Sequence, residues 1–199
     1  MHDIVDELSK QQLVEGSSEQ KVASLYANFM DKKSIEALGI QPIQAEITNV
    51  DALKSKKDIA QLAAHFSRIG VTSPFDVGID QDMKNSTEMV AMLGQSGLGL
   101  PDRDYYLKND AKFKKIRSQY LKYIEKTLTL AGDKQAAQHA QGILKLETQI
   151  AKIQWSNVQN RDVTKLYNIY KTQDLAKLSP KIDWQTYLEK QELSDKIKT

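Results

Sequence analysis

The sequence predicts a mainly α fold, a multi-helix domain that carries one small β-hairpin. Apolar residues recur at spacings of three and four along most of the chain, the period that gathers them on one face of a helix. The period shortens to two only at Phe75, Val77 and Ile79, with Asp76, Gly78 and Asp80 between them; such alternation marks a strand with one buried face. The periodic stretches are separated by glycine, or by Ser and Asp in helix-capping positions.

Taken in order, residues 3–14 read as a short helix broken by Gly16, Ser17 and Ser18. Ser17 with Gln20 three residues later has the form of a capping box. Behind it Val22, Leu25, Tyr26, Phe29 and Met30 form a helical stripe that runs to about Asp31. Ser34 to Leu38 is a helical turn closed by Gly39, and Pro42 fits the first turn of a further helix with Ile43, Ile47 and Val50 on one face. Ser55 and Asp58 are placed to cap the next helix, which buries Ile59, Leu62, Ala63, Phe66 and Ile69 before Gly70 ends it.

The alternating stretch from Phe75 comes next, and turn residues at 82–86 let residues 87–93 pair back as a second strand. After a glycine-rich loop two long helices follow. The first covers 110–131 with Phe113, Ile116, Tyr120, Ile124 and Leu128 inward; the second carries Ala136, Ala140, Ile143, Leu146, Ile150 and Ile153. The brief Gly132-Asp133 junction predicts an antiparallel pair. Shorter helical pieces fill the tail, broken at Ser179-Pro180, with Trp184, Tyr187 and Leu188 on one side of the last.

Composition narrows the function. Hydrophobic residues make up 40% and charged residues 27%, the balance of a globular chain able to bury a core. Lys and Arg number 28 against 26 Asp and Glu, for a net charge of +2; no large field draws in nucleic acid or an anionic membrane. Cysteine is absent, which excludes disulfides, thiol nucleophiles and Cys-ligated metals. No stretch nears the ~20 apolar residues of a membrane span. The acidic start shows no leader, and the composition fits a bacterial cytoplasm or cell envelope without fixing the compartment.

The chemistry-bearing motifs are missing. His2, His65 and His139 are the three histidines, and none has a second ligand at metal spacing. His-Glu-x-x-His, which sets two zinc ligands one helical turn apart with a general base between them, does not occur. Neither do the serine-hydrolase elbow, the phosphate-binding loop or the dinucleotide fingerprint. The expected sets of catalytic, cofactor-binding and metal-binding residues are therefore empty, and His65 and His139 are expected to be structural or solvent-facing. Lys112, Lys114, Lys115, Arg117, Lys122 and Lys126 form a basic helix face. It reads as the solvated side of an amphipathic helix in preference to a polyanion site.

The most specific stretch is Gly94-Gln95-Ser96-Gly97-Leu98-Gly99-Leu100-Pro101-Asp102-Arg103-Asp104-Tyr105-Tyr106-Leu107. Gly97 and Gly99 suit backbone angles closed to other residues. Asp102 and Asp104 flank Arg103 and suggest a carboxylate–guanidinium clasp. Tyr105 and Tyr106 bring large apolar faces whose hydroxyls need partners. A loop so defined is costly unless it packs on something.

This run resembles the signature of the neprilysin family of zinc metallopeptidases, which includes endothelin-converting enzyme and bacterial oligoendopeptidase O. Weaker matches follow in order: Phe29-Met30-Asp31, Ile35 to Gly39 with Pro42, the strands from Phe75, Leu146 to Ala151, Arg161-Asp162, Leu166-Tyr167-Asn168, then Asp183-Trp184 and Tyr187-Leu188. Ile169-Tyr170 departs from the family pattern, which often has a small or basic residue and Met there.

The resemblance implies that residues 1–199 are a single helical N-terminal (cap) domain of a larger peptidase. Zinc and catalysis would reside in a C-terminal domain of the same polypeptide, and oligopeptides would be the substrates. Two readings of the signature loop follow: a packed loop that braces the cap lobe, which is preferred, and direct substrate contact by Arg103 or Tyr106 at the chamber wall. Glu147, Arg161 and Asp162 read as buried ion-pair members in preference to substrate ligands. A lobe without its catalytic partner would expose apolar surface, which makes self-association an expectation. The competing reading is a stand-alone helical peptide- or protein-binding module.

Overall fold

The computed structural model describes residues 2–194; the side chains of His2 and Asp76 lie outside the described part. Backbone contacts divide the chain into two compact units, 1–47 and 48–199. In the first, α1 spans His2–Leu8 and α2 spans Ser18–Met30. The helix foreseen over 3–14 thus stops at Leu8, where Ser9 and Gly16 bracket turns and extended backbone.

Ser17 caps α2 as foreseen, while the return bond of the box reaches Gly16, one residue before the cap. Ser17 Oγ accepts from the Gln20 backbone N–H at 3.1 Å, and Gln20 Oε1 accepts from Gly16 N–H at 3.0 Å. Asp31 caps α3 (Lys32–Leu38) by accepting from Ser34 N–H. The Tyr26 hydroxyl donates to Asp6 at 3.0 Å and ties α2 to α1. Ala23 is the buried residue of α2 and Tyr26 is half-buried, whereas Val22, Leu25, Phe29 and Met30 of the predicted stripe face outward, with Leu25 73% and Phe29 76% exposed. A 3-10 turn at Gln41–Ile43, with Pro42 inside it, leads into α4 (Gln44–Asp51), within which the two units divide.

The second unit is built on α5 (Asp58–Arg68). Asp58 accepts from the N–H groups of Lys54 and Ser55, closing the entry to the helix. Its buried face keeps only part of the predicted stripe, with Ala63 buried and Leu62 and Phe66 half-buried. Ala60, Ala63 and Ala64 point inward while Ile59 and Ile69 are exposed. Small side chains let a second helix approach closely, and the aromatic residues of that helix fill the space. The antiparallel hairpin of β1 (Phe75–Gln81) and β2 (Met89–Gln95) pairs Phe75 with Gln95, Val77 with Leu93 and Gln81 with Met89. The second strand starts two residues later than predicted because Asp82 and Asn85 hold residues 82–88 in the turn.

The chain then passes through α6 (Asp104–Leu107) into α7 (Ala111–Leu130) and α8 (Ala136–Ile153). Tyr120 meets Glu147, and the two lie equally far on either side of the Asp133-Lys134 turn, so α7 and α8 form the antiparallel pair foreseen. Of the inner stripe placed from sequence, Ala136 and Ala140 are buried as foreseen, whereas Leu146 and Ile153 are exposed and Ala151 is buried in addition. After α8 come α9 (Val163–Leu166), α10 (Leu175–Leu178) and α11 (Trp184–Lys190).

The core gathers Ala60, Ala63, Ala64, Leu175, Trp184, Tyr187 and Leu188, with Phe75 and Val77 of the hairpin packed against it. Phe75 lies 5.3 Å from Trp184 and 5.1 Å from Tyr187 between ring centroids. Each such pair contributes about 0.5–1.5 kcal/mol beyond area burial. Among the described residues, no helix is long and apolar enough to cross a membrane.

Candidate functional site

The signature stretch forms a strap between β2 and α7, and both of its ends are held by side chains from α8 and the residues after it. Gln95 donates to the Trp155 carbonyl and accepts from the Trp155 N–H. Gln154 donates to the Ser96 carbonyl at 2.7 Å. Further along, Asn157 donates to Asp102 Oδ2, and Asp102 Oδ1 accepts from the Asp104 N–H. Arg117 on α7 donates to the carbonyls of Tyr105 and Lys108. One member of the basic helix face therefore anchors the strap, while Lys112, Lys114, Lys115, Lys122 and Lys126 are exposed.

Beneath the strap lies a tyrosine–glutamate–tyrosine cluster. Tyr106 is 4% exposed; its hydroxyl accepts from the Leu100 N–H at 2.8 Å and donates to Glu147 Oε2 at 2.9 Å. The Tyr120 hydroxyl donates to Glu147 Oε1 at 3.0 Å. Burial, reinforced by the neighbouring carboxylate, pushes the Tyr106 hydroxyl well above its ordinary value. Burial and then the Glu147 charge push Tyr120 up to about 12. Both phenols stay neutral donors at ordinary pH, and one carboxylate spends both oxygens on them.

The two glycines serve different ends. Gly97 has φ of 86°, and a Cβ there would sit 2.9 Å from the Pro74 Cα. Gly99 has no positive φ; its need is space, because an added Cβ would run into the Tyr120 hydroxyl and lie 3.2 Å from Glu147 Oε1. The reading that both positions demand special backbone angles is corrected for Gly99. Two further expectations change. The Asp102–Arg103–Asp104 clasp does not form, since Asp102 is used as above and Asp104 pairs with Lys108 at 2.8 Å. Glu147 is held by hydroxyls and not by a cation, and Asp162 makes a part-exposed pair with Lys165.

A second latch joins the hairpin tip to the tail. Tyr167 donates to both Asp82 oxygens, at 2.9 and 3.1 Å, and Lys84 Nζ lies 4.2 Å above the Tyr167 ring. Backbone N–H groups, the Lys84 N–H foremost, and the Tyr167 hydroxyl hold the Asp82 carboxyl below its usual range. His65 and His139 stay apart from both latches: His139 bonds Asp133 at the α7–α8 turn, and the His65 ring lies tilted beside that of Phe66 on α5. Among the described residues no three His, Asp or Glu side chains gather where a metal could be held. The donor set of the described residues does not fit zinc. The strap and its cluster position backbone; they present no nucleophile beside a base.

Tyr120 was legible only as an inward apolar position, and the cluster escaped sequence reading because its members come from α6, α7 and α8. The signal was there in principle. In an antiparallel pair, residues equidistant from the turn face each other, and a carboxylate opposite a tyrosine marks a buried bond.

The family model described as Peptidase family M13 matches residues 1–199. The chain belongs to peptidase family M13. Its M13 relatives include human endothelin-converting enzyme-like 1, 30% identical over 188 residues, which cover 87% of this chain and 24% of the human protein. Human endothelin-converting enzyme 1 is 34% identical over 184 residues, 86% of this chain and 23% of that protein. Among solved structures, the Mycobacterium tuberculosis zinc metalloprotease ZMP1 in complex with inhibitor aligns with a TM-score of 0.85 and 28% identity, over 96% of this chain and 29% of that one. PepO from Lactobacillus rhamnosis HN001 aligns with a TM-score of 0.74 at 18% identity, over 95% of this chain and 30% of that one, and shows the same fold. This M13 chain thus spans about a quarter of the length of the curated relatives it matches.

Proposed function

We propose that this chain is the N-terminal, non-catalytic part of a zinc-dependent endopeptidase that cleaves oligopeptides. In this reading it walls the active-site chamber and limits the size of substrate admitted, while a C-terminal catalytic domain of the same polypeptide supplies the zinc. One observation carries it: the strap is locked from both ends and from beneath by buried or part-buried bonds, the construction of a rigid wall and not of a reacting centre.

The reading is tested in two steps. The gene should continue past Thr199 for several hundred residues and encode His-Glu-x-x-His. The full-length enzyme should cleave a graded series of peptides up to a length limit. Loosening the strap with Gly99→Ala should raise that limit while leaving the rate on the shortest peptides within about twofold, because the variant removes no transition-state contact. A gene that stops near Thr199 would favour the stand-alone binding module instead, as would an enzyme indifferent to substrate length.

A further inference from the structure

Among the described residues the sheet has only β1 and β2, so each strand keeps one edge that no other strand joins. Which backbone groups lie on those edges follows from the ladder. The Asp82 N–H donates to the Glu88 carbonyl, which makes theirs a hydrogen-bonded pair. With the register of the hairpin, the Asp80–Val90 and Gly78–Met92 pairs are hydrogen-bonded in turn. The residues between them direct N–H and C=O groups outward: Phe75, Val77, Ile79 and Gln81 on β1, and Met89, Ala91, Leu93 and Gln95 on β2.

The two edges differ. On β1 the Phe75 carbonyl accepts from the Ser73 hydroxyl, and the Gln81 N–H donates to Asp80 Oδ1. That strand also carries Asp76 and Asp80. On β2 the outward backbone groups of Met89, Ala91 and Leu93 have no partner among the described residues. The strand Met89–Gln95 contains no charge and no proline, and its register runs without a bulge. Met89 is 60% and Leu93 47% exposed. Charge, proline or a bulge ordinarily keeps an edge from taking up another strand, and β2 has none of the three.

We propose that the outer edge of β2 pairs antiparallel with β2 of a second copy of this chain, the two-fold axis passing beside Met92. About that axis Ala91 meets the partner's Leu93 and Met89 meets the partner's Gln95, all of them residues that direct backbone groups outward. Because the strand is uncharged, the pairing brings no like charges together. The same operation on β1, centred on Gly78, sets position 76 of one copy against position 80 of the other, acid against acid. Charge thus selects β2, and a partner edge as neutral as its own. The product is one sheet continuous through both copies, in place of an isolated hairpin. A single strand pair buries less area than a tight dimer needs, so half-association falls on the order of 100 µM. The pairing is read from this chain alone and stands whether or not the chain walls a peptidase chamber.

The absence of native cysteine makes a clean test. Pairing about Met92 sets the two copies of that residue with Cα atoms about 4.5 Å apart, within the span of a disulfide. The work is done in the Phe29→Ser chain, so that the outward face of α2 does not contribute. On mild oxidation Met92→Cys should form the linked dimer about tenfold faster than Gly78→Cys, which lies on β1 with nothing within 4 Å of its added carbon. The Ala91 and Leu93 amides should exchange more slowly as concentration rises, while those of Val90 and Met92, already in the hairpin ladder, should not change. Ala91→Pro removes a donor the hairpin does not use, and Met92→Lys sets two ammonium groups opposite each other. Each should weaken association in sedimentation by about tenfold. Equal crosslinking of the two cysteine variants, exchange independent of concentration, or association indifferent to both substitutions would overturn the proposal. So would saturable protection of the Ala91 and Leu93 amides by acetyl-Thr-Val-Thr-Val-Thr-amide without crosslinking, which would make the edge a site for a foreign strand.

Discussion

Replacing Gly99 by alanine places a methyl group where the Tyr120 hydroxyl sits, with Glu147 Oε1 3.2 Å away. Tyr120 is a rigid ring on α7 whose Cζ is itself 2.8 Å from the added carbon, so a simple rotation of the hydroxyl gives no relief. Either the strap lifts or the ring swings out. Overpacking of this kind costs about 1–3 kcal/mol, and the bond from Tyr120 to a charged acceptor contributes about 1.5–3 kcal/mol. The two losses are one event seen from two sides, so the net is about 3 kcal/mol. For a chain of this size the melting temperature should fall by ~6–12 °C.

Calorimetry on the wild type, Gly99→Ala, Tyr120→Phe and the double variant measures it. Removing the hydroxyl relieves part of the overlap, so the double variant should be more stable than the sum of single effects predicts, by at least about 1 kcal/mol. Gly142→Ala is the control. It lies inside α8 with nothing near its added carbon and should gain up to about 1 kcal/mol. A Gly99→Ala chain that melts within about 2 °C of wild type, or strictly additive effects, would refute the packing argument.

Tyr106→Phe strips a donor from Glu147 and an acceptor from the Leu100 N–H, and should cost about 2 kcal/mol, read as a fall of ~4–8 °C. The raised hydroxyls of Tyr106 and Tyr120 predict an alkaline limit. Their native ionisation lies above the ordinary tyrosine value of 10.0, so the stability they contribute is intact below pH 10 and drains away as pH climbs through about 12. An ultraviolet titration should show Tyr106 and Tyr120 among the late-ionising members of the eight tyrosines; simultaneous ionisation of all eight would contradict the cluster. The outward faces of Leu25 and Phe29 predict concentration-dependent self-association by light scattering, weakened by Phe29→Ser; a monomer at all concentrations would exclude it.

The hairpin was legible because a period of two has no helical explanation, and the α7–α8 pair because two long stripes meet at a glycine. What escaped has physical causes. The face of α5 was read by size, so Ile59 and Ile69 outweighed Ala60 and Ala64, although close helix approach favours the smallest side chains. The four-residue α6 is too short to show a period. Gly99 announced itself as a glycine but not whether angle or space required it, since that depends on Tyr120, which is remote in sequence. The clasp foreseen around Arg103 failed because Lys108 and Asn157 compete for its two carboxylates.

The central claim is that these residues shape a peptidase without powering it. Its most direct test incubates the purified chain with zinc and a fluorogenic oligopeptide, with and without chelator, beside equilibrium dialysis of the metal. The account predicts no hydrolysis above background and no stoichiometric zinc. Hydrolysis abolished by chelator and restored by zinc would contradict it.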